Sequence, residues 1–264
     1  MKVFGSGAIG WDREDVDVSD NIQLSRKLKA ISHQLKAVIN CVAYNDVDGA
    51  EKNPLLAVKL NRQVPREIAR ISKDLNIPLA HFSTNYVFDG EKGEYTESDL
   101  PQPQSVYGET KFQGELEIIQ NTNQYYIIRT SVLFGPMGES ELAKKSFVDL
   151  MLSLSKKQSS IKVVADEINS LTFAPDLAEA VKKLLDDKKD FGVYHITNSG
   201  QASWFDFAQE IFRVLNKQIS LEPVSSADFK RAAKRPKKAV LLNTKLPAMR
   251  PWQEALREFL ISNF

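Results

Sequence analysis

Residues 77–90 read Ile-Pro-Leu-Ala-His-Phe-Ser-Thr-Asn-Tyr-Val-Phe-Asp-Gly. From Ile77 to Phe82 the side chains are mostly apolar and do not alternate, the pattern of a strand buried on both faces. Ser83, Thr84 and Asn85 then fall at its carboxyl end. Upstream, Ala37-Val38-Ile39-Asn40-Cys41-Val42-Ala43 is a second such run, leading into Tyr44 and Asn45. Downstream, a third begins at Tyr125-Tyr126-Ile127-Ile128 and ends at Thr130-Ser131-Val132. Helices separate them. Leu24, Leu28, Ile31 and Leu35 recur at helical spacing over 21–35, and 106–120 is also helical. Asn53-Pro54 opens a helix to about Leu75 that Pro65 should kink. Strand alternating with helix predicts an α/β fold, a parallel sheet with helices on both faces. In such sheets ligands sit at the carboxyl ends of the strands.

Length and composition agree with a soluble enzyme. The 264 residues suffice for one large domain or two small ones, and 35 basic side chains nearly cancel 34 acidic ones. Bulk charge therefore gives no reason to expect a nucleic acid or a membrane surface. No apolar run reaches transmembrane length, and one cysteine with three scattered histidines makes no metal pattern. A single cysteine suits a reducing, cytoplasmic setting. After Gly135 the rhythm loosens. A helix near 145–155, strands at Ile161–Val164 and around Val193–Ile196, and a helix from about Ser203 predict a smaller lobe interleaved with the first.

Within 106–111, Val-Tyr-Gly-Glu-Thr-Lys, Tyr107 and Lys111 stand four apart and share a helical face. An ammonium one turn from a phenol favours phenolate, bringing the Tyr toward a pKa where it can trade a proton with a carbonyl or alcohol. Thr84, at a strand end, could bond the same oxygen. Y-x-x-x-K alone is a weak signal, since a solvated helix face explains most instances. Its position one strand end after Ser83-Thr84 strengthens it.

Four stretches together resemble the dTDP-4-dehydrorhamnose reductase family of the extended short-chain dehydrogenase/reductase superfamily. They are VINCVAYNDVDGAEKNP from Val38, HFSTNYVFDG from His81, VYGETKFQGE from Val106, and GVYHITNSGQASWFDFAQEIF from Gly192 with the tail behind it. The resemblance implies a Rossmann-like sheet and an NADPH- or NADH-dependent reduction of a nucleotide-linked keto sugar. It implies 1–135 as the cofactor-binding core and 136–264 as mainly the substrate lobe. Carried over, Tyr107 donates the proton, Lys111 tunes it and holds the nicotinamide ribose, and Thr84 bonds the reacting oxygen. Ala43, Tyr44, Asn45 and Phe82 would line the cofactor, with Asp12, Asp17 and Val18 toward its adenosine half. Thr84, Asn85, Tyr107, Val132 and Arg235 would face substrate. No metal-binding residues are assigned, a metal requirement is not readable from the sequence, and the resemblance allows a homodimer.

Three positions depart from the family pattern, all on the substrate side. Asn85 replaces the usual Asp, Val132 a common aromatic, and Asn169-Ser170-Leu171 a Gly-x-Pro. The basic cluster from Lys230 to Lys238 is most simply a solvated segment, with Arg235 the candidate for pyrophosphate because Arg pairs bidentately with phosphate oxygens. Trp204 suits core packing as well as ligand contact. His81 and His195 read as satisfied interior residues, and Cys41 as a small apolar filler.

The N-terminus is the anomaly. Residues 5–10 spell G-x-G-x-x-G, the dinucleotide fingerprint, yet Asp12 comes too soon for a helix to intervene. Either Gly7-Ala8-Ile9-Gly10 imitates the first glycine turn, or Ile9-Gly10-Trp11-Asp12 is the end of a second strand. The sheet is accordingly expected to be incomplete at the N-terminus, without the phosphate-cradling turn, first helix and one central strand. Two function classes stay open: an active reductase, or a non-catalytic sugar-nucleotide- or partner-binding regulatory relative.

Overall fold

The computed structural model describes residues 3–138 and 145–264. In chain order, α1 (Asn21–Ile31) leads to β1 (Val38–Asn40). Helices α2 (Val47–Lys52), α3 (Pro54–Val58) and α4 (Val64–Asp74) lead to β2 (Leu79–Thr84). After β3 (Gly93–Tyr95), α5 (Val106–Asn121) returns the chain to β4 (Tyr125–Thr130). Then follow β5 (Leu133–Phe134), α6 (Phe147–Ser155), β6 (Ser160–Val164), β7 (Ile168–Asn169) and β8 (Thr172–Phe173). α7 (Ala174–Asp186) brings the chain back as β9 (Gly192–His195). The remainder is β10 (Ala202–Ser203), α8 (Trp204–Val214), β11 (Ser220–Val224), β12 (Lys238–Leu241) and α9 (Trp252–Asn263).

Strands β1, β2, β4 and β9 form a parallel sheet in that order. Successive side chains point to opposite faces, so Leu79 and Ile127 pack with Leu24 and Leu28 of α1, Val64 and Ile68 of α4 and Ile118 of α5. Their neighbours Ala80 and Ile128 pack with Leu177, Val181 and Leu184 of α7. Ile127 and Ile128 are wholly buried, and each contributes roughly 1.5–3 kcal/mol of transfer energy. Helices thus cover both faces. A mixed sheet, β10-β7-β12-β3, borders the carboxyl ends, tied to β2 where the Asn85 amide donates to Asn169 Oδ1 (2.8 Å) and the Ala239 carbonyl (3.1 Å). A separate apolar cluster joins α6, α8 and α9. The chain alternates between the two regions: β3 precedes α5 but joins the mixed sheet, whereas β9 returns to the parallel one.

Two elements differ from the sequence expectation. The strand expected over 37–43 pairs only at Val38–Asn40, because β1 is an edge strand with β2 as its sole partner among the described residues. Cys41, beyond it, is exposed rather than a buried filler. The helix expected from Pro54 is interrupted by a π turn at Lys59–Gln63. Pro65 has no N–H for the Asn61 carbonyl four residues back, and that carbonyl abuts α5 instead. A Cβ on Gly114 would stand 2.1 Å from it, so only glycine lets the two helices approach.

At the N-terminus, Gly5–Gly7 makes a single 3-10 turn, and no helix follows it until Asn21. The start of α1 is closed by Asp20, whose carboxylate accepts from the Ile22 and Gln23 N–H groups at 3.0 Å each. No helix among the described residues is long and apolar enough to cross a membrane.

Candidate active site

The first turn of α5 is fastened before it presents any chemistry. Ser105 Oγ accepts the Gly108 N–H at 3.2 Å, and Glu51 of α2 accepts that of Val106 at 2.9 Å. A Cβ on Gly108 would come within 2.2 Å of the Tyr86 carbonyl oxygen, so glycine is what seats this turn against the chain leaving β2. The Tyr107 ring consequently meets Tyr86 edge-on, with centroids 5.6 Å apart. Thr84 ends β2, accepting the Tyr86 N–H at 3.2 Å. Burial pushes the Tyr107 phenol up from its ordinary pKa, and a hydrogen bond with the Thr84 hydroxyl pulls the other way. Thr84 and Tyr107, separated by a loop in sequence, thus lie side by side in the fold.

Lys111 lies one turn deeper and is 2% exposed. Its Nζ donates to the Phe82 carbonyl at 2.6 Å and lies 3.3 Å from His81 Nε2. Burial brings its pKa down to about 8, against the opposing pull of Glu115 and Cys41. The sequence alone suggests an ammonium directed at the phenol. In the fold, this nitrogen is directed at the β2 backbone, and burial dominates both groups. His81 is wholly buried, and desolvation followed by the Lys111 charge holds it well below the ordinary histidine value. Beneath them Glu115 accepts from Arg129 Nε (3.0 Å), Arg129 Nη2 (2.7 Å) and Ser83 Oγ.

Of the residues expected along a cofactor, Ala43, Tyr44 and Asn45 follow the edge strand β1, whereas Phe82 lies on the interior strand β2. Asn61 brackets Tyr44, accepting its N–H at 2.8 Å and donating to its carbonyl at 3.1 Å. Phe82 is half-buried and Asn45 exposed. Val18 packs on the apolar cluster that also carries Val38 and Val42. Asp12 and Asp17 are exposed and close their own turns. Asp12 accepts from the Glu14 N–H at 2.8 Å, and Asp17 from both the hydroxyl and N–H of Ser19.

On the substrate side the groups are more engaged than the sequence suggests. Asn85 is 2% exposed, with its amide nitrogen given to Asn169 and Ala239. An Asp here would set a carboxylate against two oxygens, which explains the asparagine. Arg235 forks onto Asp48 at 2.6 and 3.2 Å, holding that carboxyl down at about 2. Arg231 pairs in the same way with Glu167, which also accepts from Trp204 Nε1 at 3.2 Å. Val132 has φ +35°, a left-handed conformation strained for a β-branched residue. Val132→Asn relieves that strain and is expected to raise stability by about 1 kcal/mol, or a few degrees in Tm. A lowered Tm in thermal unfolding would contradict this.

Sequence reading passed over Asn40, Asn61, Glu115 and Arg129, and treated His81 as inert. Their common signal is a polar residue inside an otherwise apolar run or a helix face turned to the sheet.

A parallel α/β sheet carrying Thr84 at a strand end and Tyr107-x-x-x-Lys111 on the next helix defines an extended short-chain dehydrogenase/reductase. The model of the RmlD substrate binding domain matches residues 2–263, and the chain belongs to that family of sugar-nucleotide reductases. Among solved structures, it resembles a dTDP-4-dehydrorhamnose reductase ortholog from Clostridium acetobutylicum, 35% identical with a TM-score of 0.91. The match covers 99% of this chain and 93% of that one. The dTDP-4-dehydrorhamnose reductase of Bacillus anthracis, solved in complex with NADP, is 34% identical with a TM-score of 0.90, over 96% and 89% of the two chains. A probable dTDP-4,6-dihydroxy-2-methyloxan-3-one 4-ketoreductase from Streptomyces antibioticus is 34% identical over 95% of this chain and 84% of its own. Relatives at similar identity thus carry different substrate names.

Proposed function

We propose that the chain reduces the C4 keto group of dTDP-4-dehydro-6-deoxy-L-mannose (dTDP-4-dehydrorhamnose) to dTDP-L-rhamnose, using NADPH or NADH. The corner formed by Thr84 and Tyr107 above buried Lys111 carries this reading. A carbonyl oxygen becoming an alkoxide needs a hydrogen bond and then a proton, which the neighbouring Thr84 and Tyr107 hydroxyls would supply. Tyr107 supplies the proton, Thr84 orients the oxygen, and Lys111 with Tyr107 holds the nicotinamide ribose. Ala43, Tyr44, Asn45 and Phe82 would line the nicotinamide side, and Asp12, Asp17 and Val18 the adenosine side. The dinucleotide supplies the hydride. Asn85, Val132 and Arg235 border the sugar nucleotide, with Arg235 reaching its pyrophosphate by exchanging Asp48 for phosphate oxygens. We assign residues 1–135 chiefly to the cofactor and 136–264 to the substrate.

The residues fit the nicotinamide end better than the phosphate end. Among the described residues no helix opens behind Gly5–Gly7 to offer N–H donors to a pyrophosphate. That observation favours a second reading, a regulatory relative that binds a sugar nucleotide or a protein partner without turnover. Fluorescence titration with NADPH and NADH separates the two. Saturable binding well below millimolar, followed by consumption of the keto-sugar nucleotide, is expected of the reductase. Binding no tighter than millimolar for both dinucleotides would overturn it.

A further inference from the structure

Arg235 and Arg231 each fork onto a carboxylate, and the two forks differ in what they can release. Asp48 is 35% exposed, so water can take it over when Arg235 turns to a phosphate. Glu167 is 4% exposed, and parting it from Arg231 would strand a buried carboxylate. Strand pairing fixes this second fork in place. β10 runs antiparallel to β7 with Ser203 opposite Ile168, which sets Trp204 beside Glu167. Glu167 Oε2 accepts from Trp204 Nε1 and Arg231 Nη1 at 3.2 Å each, and Oε1 accepts from Arg231 Nη2. β7 is in turn clamped to the end of β2, where the Asn85 amide donates to Asn169 Oδ1 at 2.8 Å. The fork thereby stands on the Tyr107 side of the molecule. Burial lifts the phenol of Tyr86, whose ring meets Tyr107, and the charges of Arg235, Glu167 and Arg231 also reach it.

We propose that the Arg231–Glu167 pair is a specificity-determining site that stays closed and reads hydroxyl groups of the nucleotide-linked sugar. The inference rests on the chain binding a sugar nucleotide, which the reductase and the regulatory relative have in common. A closed pair carries no net charge, which suits an uncharged polyol better than a diphosphate. It also keeps both kinds of hydrogen-bonding capacity. A carboxylate has about four acceptor sites, and among the described residues Oε1 has accepted only from Arg231. The guanidinium keeps N–H groups beyond those given to Glu167, and its side chain is 24% exposed. One sugar hydroxyl can therefore donate to Oε1 while its neighbour accepts from Arg231. Trp204 is the positioning residue, since its N–H holds Oε2 and leaves Oε1 to the ligand. The two arginines then divide the substrate between them. Arg235 meets phosphate because its partner is exposed, and Arg231 meets sugar because its partner is buried.

The test compares thymidine diphosphate with dTDP-L-rhamnose, which adds the sugar, in calorimetric titration of the full chain. Glu167→Leu with Arg231→Met removes donors and acceptors together and leaves no buried charge behind. This double variant is expected to bind dTDP-L-rhamnose about ten- to a hundredfold more weakly, the worth of a hydrogen bond or two to charged groups. It should bind thymidine diphosphate as tightly as the native chain does. Arg235→Gln is expected to weaken both ligands alike. Arg231→Lys keeps the ion pair and loses the fork, so it repeats the comparison with the least change to packing, and it should weaken dTDP-L-rhamnose alone. Equal loss of both ligands in the Arg231 variants would make this a phosphate site, and no loss of either would make the pair structural. Each of those results overturns the proposal. A native chain that binds neither ligand would overturn the sugar-nucleotide reading and the proposal with it. The expected affinities without turnover would support the pair and count against the reductase reading alone.

Discussion

Tyr107→Phe lowers turnover of the keto-sugar nucleotide by about a hundred- to ten-thousand-fold, the range of a positioned general acid, with the fold retained and dinucleotide affinity weakened far less than turnover. Only the phenolic oxygen is removed. The edge-on contact with Tyr86 and the capping of α5 by Ser105 involve the ring or the backbone, so structure and stability should survive. Thr84→Val should lose less, because it removes a hydrogen bond and no proton. Burial lifts the phenol above its ordinary value, which keeps the donor protonated across neutral pH. The rate of reduction is therefore not expected to fall from loss of this proton until well into the alkaline range. Steady-state kinetics with NADPH fluorescence as the binding control checks both parts. Unchanged turnover in Tyr107→Phe would remove Tyr107 from the chemistry, and a loss of turnover fully accounted for by lost dinucleotide binding would confine it to holding the cofactor.

How much of this was legible beforehand depends on how local each cause is. The strand read over Ile77–Phe82 and the helix read over 106–120 correspond to β2 (Leu79–Thr84) and α5 (Val106–Asn121), because local side-chain patterning acts over a few positions. The strand at 37–43 was overestimated because apolar content reports burial. Pairing needs a neighbour, and β1 has one among the described residues. Pro65 announced a disturbance, though not that the helix would absorb it as a π turn placing the Asn61 carbonyl against Gly114. At the site, Tyr107 and Lys111 were visible as a spacing and Thr84 as a strand end. Where Lys111 directs its nitrogen was not, because Asn40, His81 and Phe82 reach it only through strand register. Arg235 looked free because its partner Asp48 stands 187 residues away in the chain.

Glu115→Gln is expected to destabilise the protein by about 3–5 kcal/mol, the cost of leaving a buried charge without its partner. Arg129 and Glu115 are 4% and 1% exposed, so neither solvent nor salt can take over when the carboxylate is lost. The guanidinium is already short of acceptors. Its Nη1 has no partner among the described residues, and it sits 5.2 Å from the centroid of the Phe88 ring. The glutamine oxygen can keep one of the bonds from Arg129, and its amide turns a donor toward Ser83 Oγ or toward the guanidinium. An exposed ion pair would lose no more than about 1 kcal/mol in the same experiment, so denaturant unfolding separates the two cases. A loss of that smaller size would show that water reaches the pair. Replacing both partners, as Glu115→Leu with Arg129→Met, should restore much of the stability, since buried pairs exchanged for apolar residues are often neutral or better. The double variant is not expected to restore function. Glu115 is the carboxylate whose charge opposes the loss of the Lys111 proton, and it holds the Ser83 hydroxyl beside Thr84. Stability and activity would then separate, which identifies the buried pair as retained for the site it supports.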